Sequence, residues 1–512
     1  MLSDKPYAEL LHLEPAQYTS LQNLDFMGDL IDFSYIKKDI AGTKKAFEIV
    51  EAIRQTDLLP VDQARFHYFQ ANGWSNMRFF NRFEQPDSWD YDQTELTKEI
   101  FHLRSCLRME GFVEMSKDRQ CQIFTNLGNH FSHVGRFIEA QQMWHNALAI
   151  IPRFPMALGN IGQGYFHYAG CLYDDNHRSI FIYHTYDYLK RALLLKKHLD
   201  PDAFNHWNER AGKIAANWPA TFLQTHHDFN QFDLGKDEDL KAYREWCVGQ
   251  CLYINPLNDL GPYTIACHDI LHLPAITVAN GEPPKYHTLF NQIKQEYGTA
   301  RFLYYEGTQL AAQHYADHDI QLVDTLEYAE YSYNLEKVKI AYRLIYSLFD
   351  KIAYLLNDYL QLGLKRNSVS FRALWHETIK GKRVLRNRFR NNNNLALRGL
   401  YWLSKDLFNA DEEQAHSEVL EPGAQELAAI RHHIEHKSFK VVQYGTWGAD
   451  DEDNYTYLID RGKFEFKTIK LMGLMRSAII YTSLAIHHEE IQNPKGPAFP
   501  MELPDFPFDD KV

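Results

Sequence analysis

The sequence predicts an all-α protein in two parts, a stack of repeated helix pairs followed by a helical bundle. Three observations predict it. A pattern recurs with a 34-residue step between Asn126 and Ala169. From Leu335 to Leu362 the apolar residues Val338, Ala341, Ile345, Leu348, Ile352, Leu355 and Tyr359 alternate steps of three and four, the spacing of one face of a helix packed on others. Further helical segments flank both.

In the recurrence, Leu127, Gly128 and Phe131 return as Ile161, Gly162 and Tyr165, with Ala140, Trp144, Ala147 and Pro152 between them. Period and residue types resemble the tetratricopeptide (TPR) repeat. The small residues let two antiparallel helices approach, Trp144 fills the space between them, and Pro152 ends the second helix. One pair cannot bury its own faces, so neighbours are expected at Phe66 to Phe80, Leu96 to Met109, Ile180 to Lys197 and Ala203 to Trp218. The reading is an irregular TPR-like helical solenoid over residues 1–220, with a non-repetitive helical domain as the alternative.

Residues 221–285 form a helical connecting region that begins with a polar stretch, Asp228 to Asp239. Cys247, Cys251, Cys267, His268 and His272 lie in it; their spacings match no zinc pattern, and small buried cysteines explain them as well. The bundle, residues 286–490, is expected to add helices at Leu395 to Phe408, Gln425 to Val442 and Phe466 to Glu490. A small β-hairpin insertion is expected at Tyr455 to Thr468, turning near Asp460 and Gly462. Residues 491–512, with proline at short intervals, read as an irregular tail.

Composition limits function. The chain of 512 residues is 45% hydrophobic and 14% aromatic, well away from the disordered class. A net charge of −13 argues against a protein that coats nucleic acid, so any RNA contact has to come from a local basic patch. The start, MLSDKPYAEL, lacks the regions of a signal peptide. Leu471 to Ile486 is interrupted by Arg476 and falls short of the roughly 20 apolar residues of a spanning helix. Six cysteines are too sparse for a disulfide framework. These features lead to the expectation of a cytoplasmic protein with no membrane partner.

The densest cluster of chemistry is IRHHIEHKSF, Ile430 to Phe439. On an ideal helix, Leu427, Ile430, Ile434 and Val441 form an apolar stripe between about −40° and −100° from Arg431. Arg431, His432, Glu435 and His436 fill the adjoining arc, from 0° to about 140°. His433 points further round.

A helical bundle whose late helix carries Arg, a polar residue, three more positions and His resembles the HEPN family of nucleotide-binding and ribonuclease domains. Arg431, His432 and His436 match that motif, and IAYRLIYSLFDKIAYLLN, SFRALW and NLALRGLYWLSKDLF upstream resemble a bacterial HEPN branch joined to TPR-like repeats. The resemblance implies a C-terminal HEPN helical bundle in which Arg431 and His436 are the functional pair and His432 assists. It further implies an endoribonuclease without metal or other cofactor, acting as a homodimer, and a toxin or antiviral-defence effector of the abortive-infection kind.

The residue types suit that chemistry. Histidine titrates near neutrality and can take the proton of a 2′-hydroxyl or give one to the leaving oxygen. Arginine stays charged and forks two donors onto a phosphate. Glu435, four residues after Arg431, is a candidate to hold the guanidinium or an ordinary surface ion pair. Asp350, in the upstream helix, is placed with it in a supporting role. Lys380, Lys382, Arg383, Arg386, Arg388 and Arg390 gather in a stretch read as a loop; they are candidate RNA contacts or a solvated surface run.

Two other classes stay open. His432-x-x-Glu435-His436 is the spacing of a zinc peptidase, with Glu489 or Glu490 as conceivable third ligands. A non-catalytic interaction protein, binding a protein or peptide on its repeats, is the other.

Overall fold

Helix pairs open the chain: Ser20–Lys37 with Ile40–Val50, Pro60–Arg82 with Thr94–Arg108, Lys117–His133 with Phe137–Ile150, and Pro155–Cys171 with Asp175–Leu193. This computed structural model describes residues 6–82, 91–278, 281–310, 313–324, 326–390, 392–407, 419–443, 456–492, 501, 503 and 504. Local chemistry starts several of the helices. Thr19 and Gln22 form a reciprocal capping box, and Ser116, Asp174 and Asp200 each accept a first-turn N–H. Trp144 packs against the backbone at Gly128 and Gly164, where an added Cβ would come within 2.5 Å of the indole. Its Nε1 donates to the Thr125 carbonyl at 3.2 Å.

After Pro201–Asn217 and the short helix Glu238–Gly249 comes the bundle: Lys285–Gln309, Tyr333–Tyr359, Leu395–Ser404, Ala424–His436 and Arg461–Gln492. The expected seam of the long helix is inside, with Val338, Ala341, Ile345, Leu348, Ile352 and Leu355 each 0% exposed. One continuous core runs from Ala64 to Ile486, so the N-terminal helix pairs and the bundle are welded together, and a smaller core holds the first helices. At the seam Gly135, in the left-handed region at φ 86°, lies so close to the helix Leu395–Ser404 that a Cβ there would sit 2.1 Å from the Leu395 carbonyl. Tyr481 of the last helix accepts from the Ile138 N–H at 2.9 Å and donates to Glu139 at 2.7 Å.

The last helix, Arg461–Gln492, is longer than expected, and by length and composition it is apolar enough to cross a membrane; 78% of its apolar stretch is buried inside this fold. Arg476, in the middle of that stretch, is satisfied by Asp259 at 2.6 Å and by the carbonyls of Tyr253 and Asn255.

Three expectations need correction. The motif helix ends at His436, and Ser438–Val442 is a strand, because its backbone pairs with Thr456–Asp460, a distant partner that the helical wheel of Val441 concealed. No hairpin occupies Thr456 to Thr468: Thr456–Asp460 pairs in parallel with Ser438–Val442, while Asp460 accepts from the Lys463 N–H at 3.0 Å and opens the last helix. Tyr455 lies outside the described residues. The basic stretch is not a loop; His376–Ile379 and Lys382–Leu385 pair antiparallel across Lys380 and Gly381, both at positive φ, followed by a helical turn at Asn387–Arg390. Of the proposed tail, residues 491, 492, 501, 503 and 504 are described.

Candidate ribonuclease site

The motif helix is anchored along one face and at its N-terminal end. Ile430 is fully buried and Leu427 nearly so, and the Tyr342 hydroxyl of the long helix donates to the Leu427 carbonyl at 2.7 Å. Glu426 is gripped by Lys467 at 2.5 Å and by the Tyr457 hydroxyl at 3.3 Å. At the N-terminal end, Glu421 accepts from the Gly423 N–H at 3.2 Å and pairs with Arg104 and Arg108 of the repeats. His433 is structural, its Nδ1 lying 2.7 Å from the Ala429 carbonyl and its ring on Tyr457.

This anchoring leaves the adjoining arc as a platform. Arg431 Nε lies 3.0 Å from Glu435 Oε2, and its guanidinium stands over the Tyr346 ring, 5.6 Å from the centroid. Among the described residues, neither Nη atom of Arg431 has a partner. His436 Nε2 is 3.5 Å from the same Glu435 oxygen, its side chain is 59% exposed, and its ring meets the His432 ring edge-on at 5.4 Å. Arg431, His432, Glu435 and His436 therefore share one open face, with Asp350 behind it on the long helix.

Electrostatics separate these groups. Asp350 has its carboxyl raised by burial, against the pull of the Phe371 N–H at 3.0 Å and of Arg431. The Tyr346 hydroxyl is pushed up to about 12 by burial, with Arg431 opposing and Asp350 adding, so it stays protonated at neutral pH. His432 is lowered by desolvation, then by the charge of Lys437 beside it, which favours its neutral form. A fixed guanidinium, exposed imidazoles and a neutral phenol on one surface can bind an anion and move protons.

The basic residues divide by role. Lys380 and Lys382 stand exposed on the hairpin. Arg383 reaches His376 Nδ1 at 2.9 Å, Arg386 donates to the Leu374 carbonyl, Arg390 to the Leu385 carbonyl, and Arg388 pairs with Glu489 at 2.5 Å. Four of the six candidate RNA contacts thus already have work within the fold, and Lys380 and Lys382 are the exceptions.

Neither metal arrangement comes together. Glu489 is taken up by Arg388, Asn392 and Asn394, and Glu490 by Tyr359 and the Thr277 N–H, so neither is offered to His432 and His436. Glu435, which a peptidase would use to activate water, is committed to Arg431. Cys247 and Cys267 are buried; Cys251 Sγ lies against the Asn258 carbonyl, His268 packs on Phe232, and the His272 carbonyl accepts from Tyr173 and Ser483. Among the described residues no three His, Cys, Asp or Glu side chains converge as for a metal ion.

Sequence reasoning missed Tyr346 and Glu421. Tyr346 lies one turn before Asp350, on the same helix face, and that spacing is the signal that could have found it. Glu421 gives no local signal of its ion pairs, since Arg104 and Arg108 are more than 300 residues away.

No curated protein and no solved structure matches the chain. Residues 277–489, which span the helices Lys285–Gln309 to Arg461–Gln492 and hold the whole polar platform, match the family described as LA2681-like HEPN. HEPN domains are generally ribonucleases, and this chain carries an HEPN domain of the LA2681-like family over those residues.

Proposed function

We propose that the protein is a metal-independent endoribonuclease. The observation that carries this reading is the pose of Arg431: Glu435 occupies Nε, which leaves the two Nη groups as a donor fork, and the exposed His436 lies against the same Glu435 oxygen. A phosphodiester docked on that fork meets a fixed positive charge and an imidazole together. One imidazole removes the proton of the ribose 2′-hydroxyl, and the oxygen attacks phosphorus in line. The bond to the 5′-oxygen breaks, and that oxygen takes up a proton. The products are a 2′,3′-cyclic phosphate and a 5′-hydroxyl.

One motif supplies a single charge and a single exposed pair of rings, whereas in-line cleavage uses a base and an acid on opposite sides of phosphorus. The active form is a homodimer in which two platforms face each other across a two-fold axis. The exposed hairpin with Lys380 and Lys382 steers the strand, and the helix pairs bind a protein or peptide that sets the rate. An activity of this kind is toxic to the cell that holds it, which fits a toxin or an antiviral effector of abortive infection.

The test is cleavage of RNA by the purified full-length protein, with analysis of the product ends, with and without chelator. Cyclic-phosphate ends unaffected by EDTA are expected. An absence of cutting, or cutting lost in EDTA and restored by zinc, would overturn the proposal.

A further inference from the structure

Resting on the ribonuclease reading, we propose that Tyr346 is a positioning residue for Arg431: its ring clamps the guanidinium from the long helix so that both Nη groups are aimed at the substrate phosphate before it arrives.

An arginine on the exposed side of a helix samples many rotamers, and a phosphate that has to order it loses affinity to that entropy. Arg431 is restrained on two edges. Glu435, one turn on, holds Nε from within the same helix. Tyr346 meets the guanidinium from a different helix, with Cζ over its ring at 5.6 Å from the centroid, within the range where a ring quadrupole attracts a cation. The clamp is itself fixed. Tyr342, one turn earlier, ties the two helices together through the Leu427 carbonyl at 2.7 Å, and the rings of Tyr342 and Tyr346 run nearly parallel with centroids 6.5 Å apart. On either side of Tyr346, Ile345 and Phe349 are buried in the core, so the ring cannot retreat without unpacking the bundle.

The division of labour is specific. An ion pair to Glu435 alone leaves the guanidinium plane free to swing about Nε. The ring sets that plane, and a planar donor fork meets a phosphate with two parallel bonds only when its plane is set. Asp350, one turn beyond Tyr346, is spoken for by the Phe371 N–H at 3.0 Å and does not occupy the fork.

The experiment replaces Tyr346 in the full-length protein by Leu, which keeps an apolar side chain but no ring, and by Phe, which keeps the ring without the hydroxyl. On an RNA substrate, Tyr346→Leu is expected to lower kcat/KM about tenfold, and Tyr346→Phe to restore most of the loss. Placed in an Arg431→Ala protein, Tyr346→Leu is expected to change nothing further, since the group it positions is gone. A loss that adds to that of Arg431→Ala, or a Phe variant as poor as Leu, would show a merely structural role and overturn the proposal. A second readout does not depend on catalysis: the Arg431 Nε–H resonance, assigned by its disappearance in Arg431→Lys, is shifted by the ring in the wild type and in Tyr346→Phe and relaxes in Tyr346→Leu. If the protein cuts no RNA, the ribonuclease reading fails while this resonance still decides the clamp; a resonance indifferent to Tyr346→Leu overturns it.

Discussion

Arg108, in the helix Thr94–Arg108 of the repeats, donates to Glu421 at 3.1 Å, and Glu421 accepts from the Gly423 N–H that precedes the motif helix. Arg104 takes the other oxygen of the same carboxylate and also reaches Asp406 at 2.6 Å, where Arg136 joins at 2.9 Å. The start of the helix that presents Arg431 is thus set by charges belonging to the N-terminal helix pairs.

This network makes stability depend on pH in a definite direction. Burial alone would raise the Glu421 carboxyl, but Arg104, Lys470, the Gly423 N–H and Arg108 outweigh it and hold it at about 2, below the ordinary 4.5. A depressed carboxyl stabilises fully above its unfolded value and loses that stabilisation as pH falls from about 4.5 towards 2. Glu421→Gln is expected to cost on the order of 3 kcal/mol at pH 7. In thermal melts, the gap from the wild type should close across that acid window; a gap that stays constant to pH 2 would refute the assignment.

Arg431→Ala and His436→Ala should each lower cleavage by at least about a hundredfold, without lowering the melting temperature appreciably, since the side chains are 43% and 59% exposed. Arg431→Lys should fail nearly as badly, because an ammonium cannot offer two parallel donors. Retained activity in the lysine variant would mean that charge alone suffices.

Mixing the two inactive proteins tests the shared site. If platforms from two chains face each other, a heterodimer of Arg431→Ala and His436→Ala keeps one arginine and one histidine, and part of the activity should return on mixing. Sedimentation at working concentration should show a dimer. A fully active monomer would refute the composite arrangement.

The basic hairpin should separate two kinds of residue. Reversing the charge of Lys380 and Lys382 is expected to raise KM several-fold and to flatten its salt dependence. Arg388→Ala is expected instead to lower the melting temperature, because its partner Glu489 is only 6% exposed and would be left buried without its cation. Equal effects of both on RNA affinity would contradict the division.

Much of this was legible along the chain. The steps of three and four from Val338 to Leu355 fall on the buried side of a real helix because nothing interrupts their period. Arg431 and His436 share an open face because Leu427 and Ile430 do go inside. Legibility failed where a distant partner decides. Val441 fits the helical stripe as well as a strand, and only pairing with Thr456–Asp460 chooses between them. Asp460 beside Gly462 looks like a turn until its side chain caps a helix. Arg476 reads as a flaw in an apolar run because Asp259, which neutralises it, lies 217 residues earlier.

The contact between Gly135 and the helix Leu395–Ser404 bears on how such a chain can evolve. A Cβ added at Gly399 would lie 2.3 Å from the Gly135 carbonyl, so neither half can be exchanged for a relative's without re-forming this joint. The first helices, by contrast, fold around their own small core from Leu10 to Phe66, so substitutions there leave this joint as it is.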